Sequence, residues 1–102
     1  MITELFVPPA AILEFMHAAR RTLRQFGTED IYGTIRATQP ETTTFLPWAW
    51  RDWACIIFNL LVEHSDEGLA RARATSRELI DDASRVGGTF YLTYHRWATR
   101  PQ

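Results

Sequence analysis

The stretch WACIIFNLLVEH, Trp53 to His64, is the most apolar run of the chain and constrains its fold most strongly. Ile56, Phe58, Leu60 and Val62 alternate with Cys55, Ile57, Asn59 and Leu61, so both faces of a strand here are largely apolar. A strand that must be covered on both sides belongs at the centre of a sheet. The other segments are therefore read by what they can supply around it.

MITELFVP is a short strand, with Thr3, Leu5 and Val7 on one side and Glu4 and Phe6 on the other. Pro8 and Pro9 stop the ladder and suit the first turn of a helix. Ile12, Met16, Ala19, Leu23 and Phe26 then recur at helical spacing, up to Gly27. Glu29 to Thr38 is a second strand, with Ile31, Gly33, Ile35 and Ala37 opposite Tyr32, Thr34 and Arg36. A long aromatic loop, QPETTTFLPWAWRD, leads into the central run. Ser65 N-caps a second helix whose inner face is Leu69, Ala72, Ser76, Leu79, Ala83 and Val86. Gly87 and Gly88 end it, and GGTFYLTYHRWA reads as the fourth strand.

The order βαββαβ predicts an α+β, ferredoxin-like fold. Both helices cover one face of a four-stranded antiparallel sheet, in the spatial order fourth, first, third, second. Leu5, Val7, Ile35, Phe58, Leu60, Leu92 and Tyr94 are expected beneath the helices. The other face is expected to collect Glu4, Phe6, Tyr32, Thr34, Arg36, Cys55, Ile57, Asn59, Leu61, Tyr91, Thr93 and His95. Such a surface exceeds the apolar patches usual on a soluble monomer, so something should cover it. Trp48, Trp50, Trp53 and Phe45 of the loop could form its rim or lid.

The 102 residues are read as one domain, residues 1–102. A net charge of −1 gives no field for nucleic acid or an anionic membrane. All eleven basic residues are Arg, which excludes any Schiff-base or phosphate-loop lysine. The single Cys55 excludes an internal disulfide and a multi-cysteine zinc site. No membrane-length apolar run and no signal peptide is visible, so a cytoplasmic protein is expected.

Three residues of the second face carry chemistry. Arg36 is either half of a surface ion pair with Glu4 or another carboxylate, or a clamp for an anion or hydroxyl. Asn59 interrupts an apolar run, and either cross-links to Thr34 or Thr93 or binds a ligand. His95 is either a hydrogen-bonded structural residue or an acid/base group. Glu14-x-x-His17 occurs once, too few for a di-metal site, and Glu63, His64, Asp66 and Glu67 read as solvated capping residues.

EDIYGTIRATQPETTTFLPWAW, ACIIFNLLVEH and LIDDASRVGGTFYLTYHRWAT, with the opening MITELFVPPAAILEFM, resemble the C-terminal substrate (cap) domain of FAD-linked oxidoreductases of the vanillyl-alcohol-oxidase type. Polyol oxidases and decaprenyl-phosphoryl-ribose oxidases share that design. The resemblance implies a cap sheet lying over the flavin of a separate FAD-binding domain, absent from this chain. Substrate lies between sheet and flavin, and a hydroxyl-bearing small molecule is oxidised by hydride transfer. On that likeness His95 and Arg36 are catalytic, and Thr34, Tyr32, Asn59, Tyr91 and Thr93 bind substrate. Thr34 departs from the polyol oxidases, which carry Glu there. The fragment alone is expected to be inactive, because the cofactor carries the redox chemistry. The alternatives are a stand-alone domain that homodimerises through its open sheet into an α+β barrel, as in small monooxygenases, and a plain ligand-binding module.

Overall fold

The computed structural model describes residues 1–45, 48–92 and 94–102. In chain order it contains β1 (Ile2–Val7), a 3-10 turn (Pro9–Ala11) opening into α1 (Ile12–Gln25), β2 (Asp30–Thr38), β3 (Trp53–Leu60), α2 (Asp66–Arg85) and β4 (Thr89–Phe90). The sheet runs β2-β3-β1-β4 with every neighbouring pair antiparallel. This is the predicted α+β class and strand order.

The two central strands place Leu5, Val7, Ile56, Phe58 and Leu60 against Phe15, Ala19, Leu79, Ile80 and Ala83 of the helices. Fully burying a side chain of this size stabilises the fold by about 1.5–3 kcal/mol each. Phe15 lies outside the predicted stripe of α1, yet it is wholly buried and is the deepest side chain of that helix. Leu69, expected to face inward on α2, is exposed, and Gly68 takes the inner position. A Cβ on Gly68 would stand 2.1 Å from the Glu63 carbonyl oxygen, so only glycine allows the first turn to seat on the chain preceding it. Ser65 caps that turn as predicted, its Oγ accepting the Gly68 N–H at 3.0 Å. Between the helices, the Thr22 hydroxyl donates to buried Asp82 at 2.6 Å, and Arg85 holds the other carboxylate oxygen at 2.7 Å.

Three expectations fail at strand ends and edges. The central run leaves the sheet after Leu60 instead of continuing to His64, and Leu61 is exposed. Its neighbours β1 and β2 begin at Ile2 and Asp30, and past that level a single bond, from the Leu61 N–H to the Glu29 carbonyl at 2.8 Å, is the last tie to β2 among the described residues. Ile35 lies on the helix side but is 53% exposed, because the helices do not cover the edge strand β2. An apolar groove of about 660 Å³ remains there, walled by Met16, Leu23 and Phe58, with Arg20 and Asp30 at its margin. Burial in it raises the Asp30 pKa, against the opposing pull of the Asn59 and Tyr32 backbone N–H groups.

The largest correction concerns the last strand. β4 is only Thr89–Phe90, opposite Phe6 and Leu5, with one further bond from the Tyr91 N–H to the Glu4 carbonyl at 3.1 Å. Continuing that register would put position 93 opposite Ile2, where β1 starts, so residues 94–98 have no strand to pair with. They turn back onto α2 instead. Arg77 Nε donates to the Trp97 carbonyl at 2.7 Å, the Arg73 guanidinium stacks over the Trp97 ring, and Gln102 donates to Arg77 and Asp81. Leu92 and Tyr94, expected beneath the helices, are half-exposed.

Candidate functional site on the helix-free face

The helices all lie on one side of the sheet, so β2, β3 and β1 present their alternate residues on the other. Strand register sets these residues in rows. Arg36, Cys55 and Phe6 form one row, Thr34, Ile57 and Glu4 the next, and Tyr32, Asn59 and Ile2 the third. Residues directly opposite in an antiparallel pair share a face and lie roughly 5 Å apart at Cα. The structure therefore brings Tyr32, Thr34, Arg36 and Asn59 together as predicted.

At the centre, the Cys55 thiol donates to Glu4 Oε1 at 3.0 Å. Burial pushes the thiol pKa up to about 12, with the Glu4 hydrogen bond and charge adding to it and the Arg36 charge opposing. Cys55 is thus a protonated donor that orients Glu4, not a nucleophile. Arg36 is exposed and forms no ion pair among the described residues, so the Glu4–Arg36 bridge weighed from the sequence is not made. A guanidinium and a carboxylate thus stand on one face in adjacent rows, with the charges of both felt by the Cys55 thiol. The alternation of β1 did place Glu4 here, but its role as an independent acceptor was missed, because a carboxylate and an arginine on one face read as a pair.

The far end of the face is covered by Trp48 and Ala49 of the 39–52 loop. Its neck is the bond from the Glu41 N–H to the Ala49 carbonyl at 2.8 Å. The Glu41 carboxylate accepts the backbone N–H and hydroxyl groups of Thr43 and Thr44, which hold its pKa down to about 2. Beyond the neck, Ala49, Trp53, Phe6 and Cys55 form a second small core, and the Trp48 ring lies 4.7 Å from that of Phe6. Arg51 stacks over both Trp50 and Trp53.

The last segment does not join this face as expected. Tyr91 borders it through its backbone bond to Glu4 and is half-exposed. Thr93 lies outside the described residues. His95 stacks on Trp97, ring centroids 4.6 Å apart, and Trp97 is held by Arg73 and Arg77 of α2. Its pKa is lowered by burial and, secondarily, by the charge of the Met1 ammonium. This removes His95 from the site, for the reason of register given above.

Among the described residues, the N-terminus of α2 does not fit the diphosphate of FAD. Such a group favours free backbone N–H groups at a helix N-terminus. Here the first turn of α2 carries Asp66 and Glu67, Ser65 takes the Gly68 N–H, and the positive-φ glycines, Gly27 and Gly87, follow helix C-termini. Among the described residues no group of three His, Cys, Asp or Glu side chains is placed to hold a metal ion, and no helix is long and apolar enough to cross a membrane. Comparison of the chain with known protein families, with curated proteins and with solved structures finds no match.

Proposed function

We propose that this chain is the substrate-binding cap domain of a FAD-linked oxidoreductase, working with a FAD-binding domain that lies outside these residues. FAD held by that domain supplies the hydride acceptor for oxidation of a hydroxyl-bearing small molecule. The observation that carries the reading is Arg36: a permanently charged side chain, mid-strand on an apolar helix-free face, with no ion-pair partner among the described residues. Such a charge has a use for its planar fork, in this reading a substrate oxygen.

The other residues of the face act around it. Glu4, oriented by the Cys55 thiol, accepts a substrate hydroxyl proton in a hydrogen bond. Thr34, Asn59 and Tyr32 add donors and acceptors along two adjacent strands. Ile57 and Phe6 exclude water between them, which strengthens each polar contact. A face-to-face homodimer is the second use of such a sheet. The 39–52 loop argues against it, since Trp48 and Ala49 sit on the Phe6–Cys55 end and leave only part of the face flat.

The test is Arg36→Ala in the protein together with its FAD-binding domain. Turnover should fall at least a hundredfold while the flavin absorbance stays bound to the protein. Unchanged turnover sinks the assignment. A tight dimer of the 102-residue chain on gel filtration, abolished by Tyr32→Glu, supports the sheet-to-sheet reading instead.

A further inference from the structure

Beside the helix-free face lies a cleft of about 450 Å³ between the 39–52 loop and the β1–β4 edge. Phe6, Trp48, Trp50, Trp53 and Tyr91 line it, together with Thr89 and Phe90 of β4. Its size falls within the range of small-molecule sites, which are typically apolar with few polar groups. Stacked and edge-on aromatic contacts favour a flat ring as its occupant.

A second observation says what that ring should carry. Trp53 is 2% exposed, and its Nε1 has no hydrogen-bond partner among the described residues. An indole N–H is a donor only, and leaving it buried without an acceptor costs free energy that one acceptor recovers. Among the side chains packed against Trp53 are Trp50, edge-on at 5.4 Å, and Arg51, 5.3 Å from its ring centre. Both are exposed and belong to the loop; the donor itself is enclosed, so a ligand reaches it only by a shift of these side chains in which Trp50 stays as a wall of the cleft. The Arg51 guanidinium makes no ion pair among the described residues and favours an oxygen with negative character at that rim.

We propose that the cleft walled by Phe6, Trp48, Trp50, Trp53 and Tyr91 binds an aromatic carbonyl compound, its ring between the tryptophans and its oxygen on Trp53 Nε1. The site adjoins the Arg36 face and shares Phe6 with it, but its donor is Trp53, so the inference holds with or without a flavin opposite the sheet. The donor sets the class of ligand: a ring with an acceptor is retained, and a ring of equal size without one is not.

The experiment follows the four indole N–H resonances of the 15N-labelled 102-residue chain, with acetophenone as ligand and ethylbenzene as its shape-matched control. Acetophenone should shift the Trp53 resonance saturably and downfield, and ethylbenzene should not. Trp53→Phe keeps the ring and removes the donor, so acetophenone affinity should fall about five- to tenfold, the size of one hydrogen bond. Trp48→Ala, at a half-exposed wall, should weaken binding about three- to tenfold through lost aromatic contact. If Trp53→Phe does not fold, the Trp53 resonance is assigned by elimination from Trp48→Phe, Trp50→Phe and Trp97→Phe. No saturable shift at Trp53, or an equal response to ethylbenzene, overturns the proposal.

Discussion

The Cys55 thiol and the Glu4 carboxylate meet across β3 and β1 at 3.0 Å, and together they fix the polarity of the sheet's open face. The thiol keeps its proton because its burial and the adjacent carboxylate both disfavour a thiolate. Glu4 accepts from Cys55 and makes no ion pair with Arg36, which stays free of one among the described residues.

That arrangement makes stability fall on the alkaline side. The folded thiol titrates at about 12 against an ordinary value of 9.0. Its contribution is therefore complete below pH 9 and is lost as pH rises towards 12, by at most about 1.4 kcal/mol per unit. Urea midpoints between pH 8 and 11 should decline, and Cys55→Ala should flatten the decline. In the native protein at pH 8, alkylation of Cys55 should be at least a hundredfold slower than in urea.

Glu41 predicts the opposite sign at the other end of the scale. Its carboxylate is held down to about 2 from an ordinary 4.5, so its hold on the loop is complete above 4.5 and is lost as pH falls towards 2. Because Glu41 is solvent-facing, the effect is local. Emission from Trp48 and Trp50 should change over this window while the helical circular dichroism stays constant. Glu41→Gln should remove the transition.

Asp82 is expected to matter far more to stability than any charge on the open face. It is 4% exposed and accepts from Thr22 of the other helix at 2.6 Å and from Arg85 at 2.7 Å. Asp82→Ala leaves the buried Thr22 hydroxyl without its acceptor, a loss of about 2–3 kcal/mol. For a domain of this size the melting temperature should drop by about 10–20 °C. Adding Thr22→Val to the variant should recover part of the loss, since the orphaned donor goes with it.

Arg36 should behave in the reverse way. It packs into no core and makes no ion pair among the described residues, so Arg36→Ala should change the unfolding free energy by no more than about 0.5 kcal/mol. A loss above 2 kcal/mol in chemical denaturation would make Arg36 part of the scaffold and take away the basis for its functional reading.

How far the sequence carries can be seen at particular residues. Alternation in Tyr32, Thr34 and Arg36 and in Cys55, Ile57 and Asn59 assigned each to its face, because side chains of a strand point to opposite sides in strict turn. Two strands legible in this way place four of the predicted site residues side by side. The same rule put His95 on that face, and there it failed. Its alternation is intact, but alternation says nothing about whether a neighbouring strand is long enough to keep it in the sheet. Phe15 was missed for a related reason: it falls beside the stripe of Ile12, Met16, Ala19 and Leu23, which does meet the core, and only the position of β3 beneath α1 shows that Phe15 is buried as well.

What the sequence by itself determined was the order of elements, the sheet's strand order and the two-sidedness of its strands, all properties of local periodicity and chain connection. Tertiary structure alone decided where strands stop, which charges pair, and how the loop closes over Phe6 and Trp53. Those outcomes depend on the lengths and shapes of neighbours distant in the chain. β1 starts only at Ile2, so the last segment turns to α2; Glu4 takes the thiol of Cys55 on the diagonal, and Arg36 makes no ion pair among the described residues.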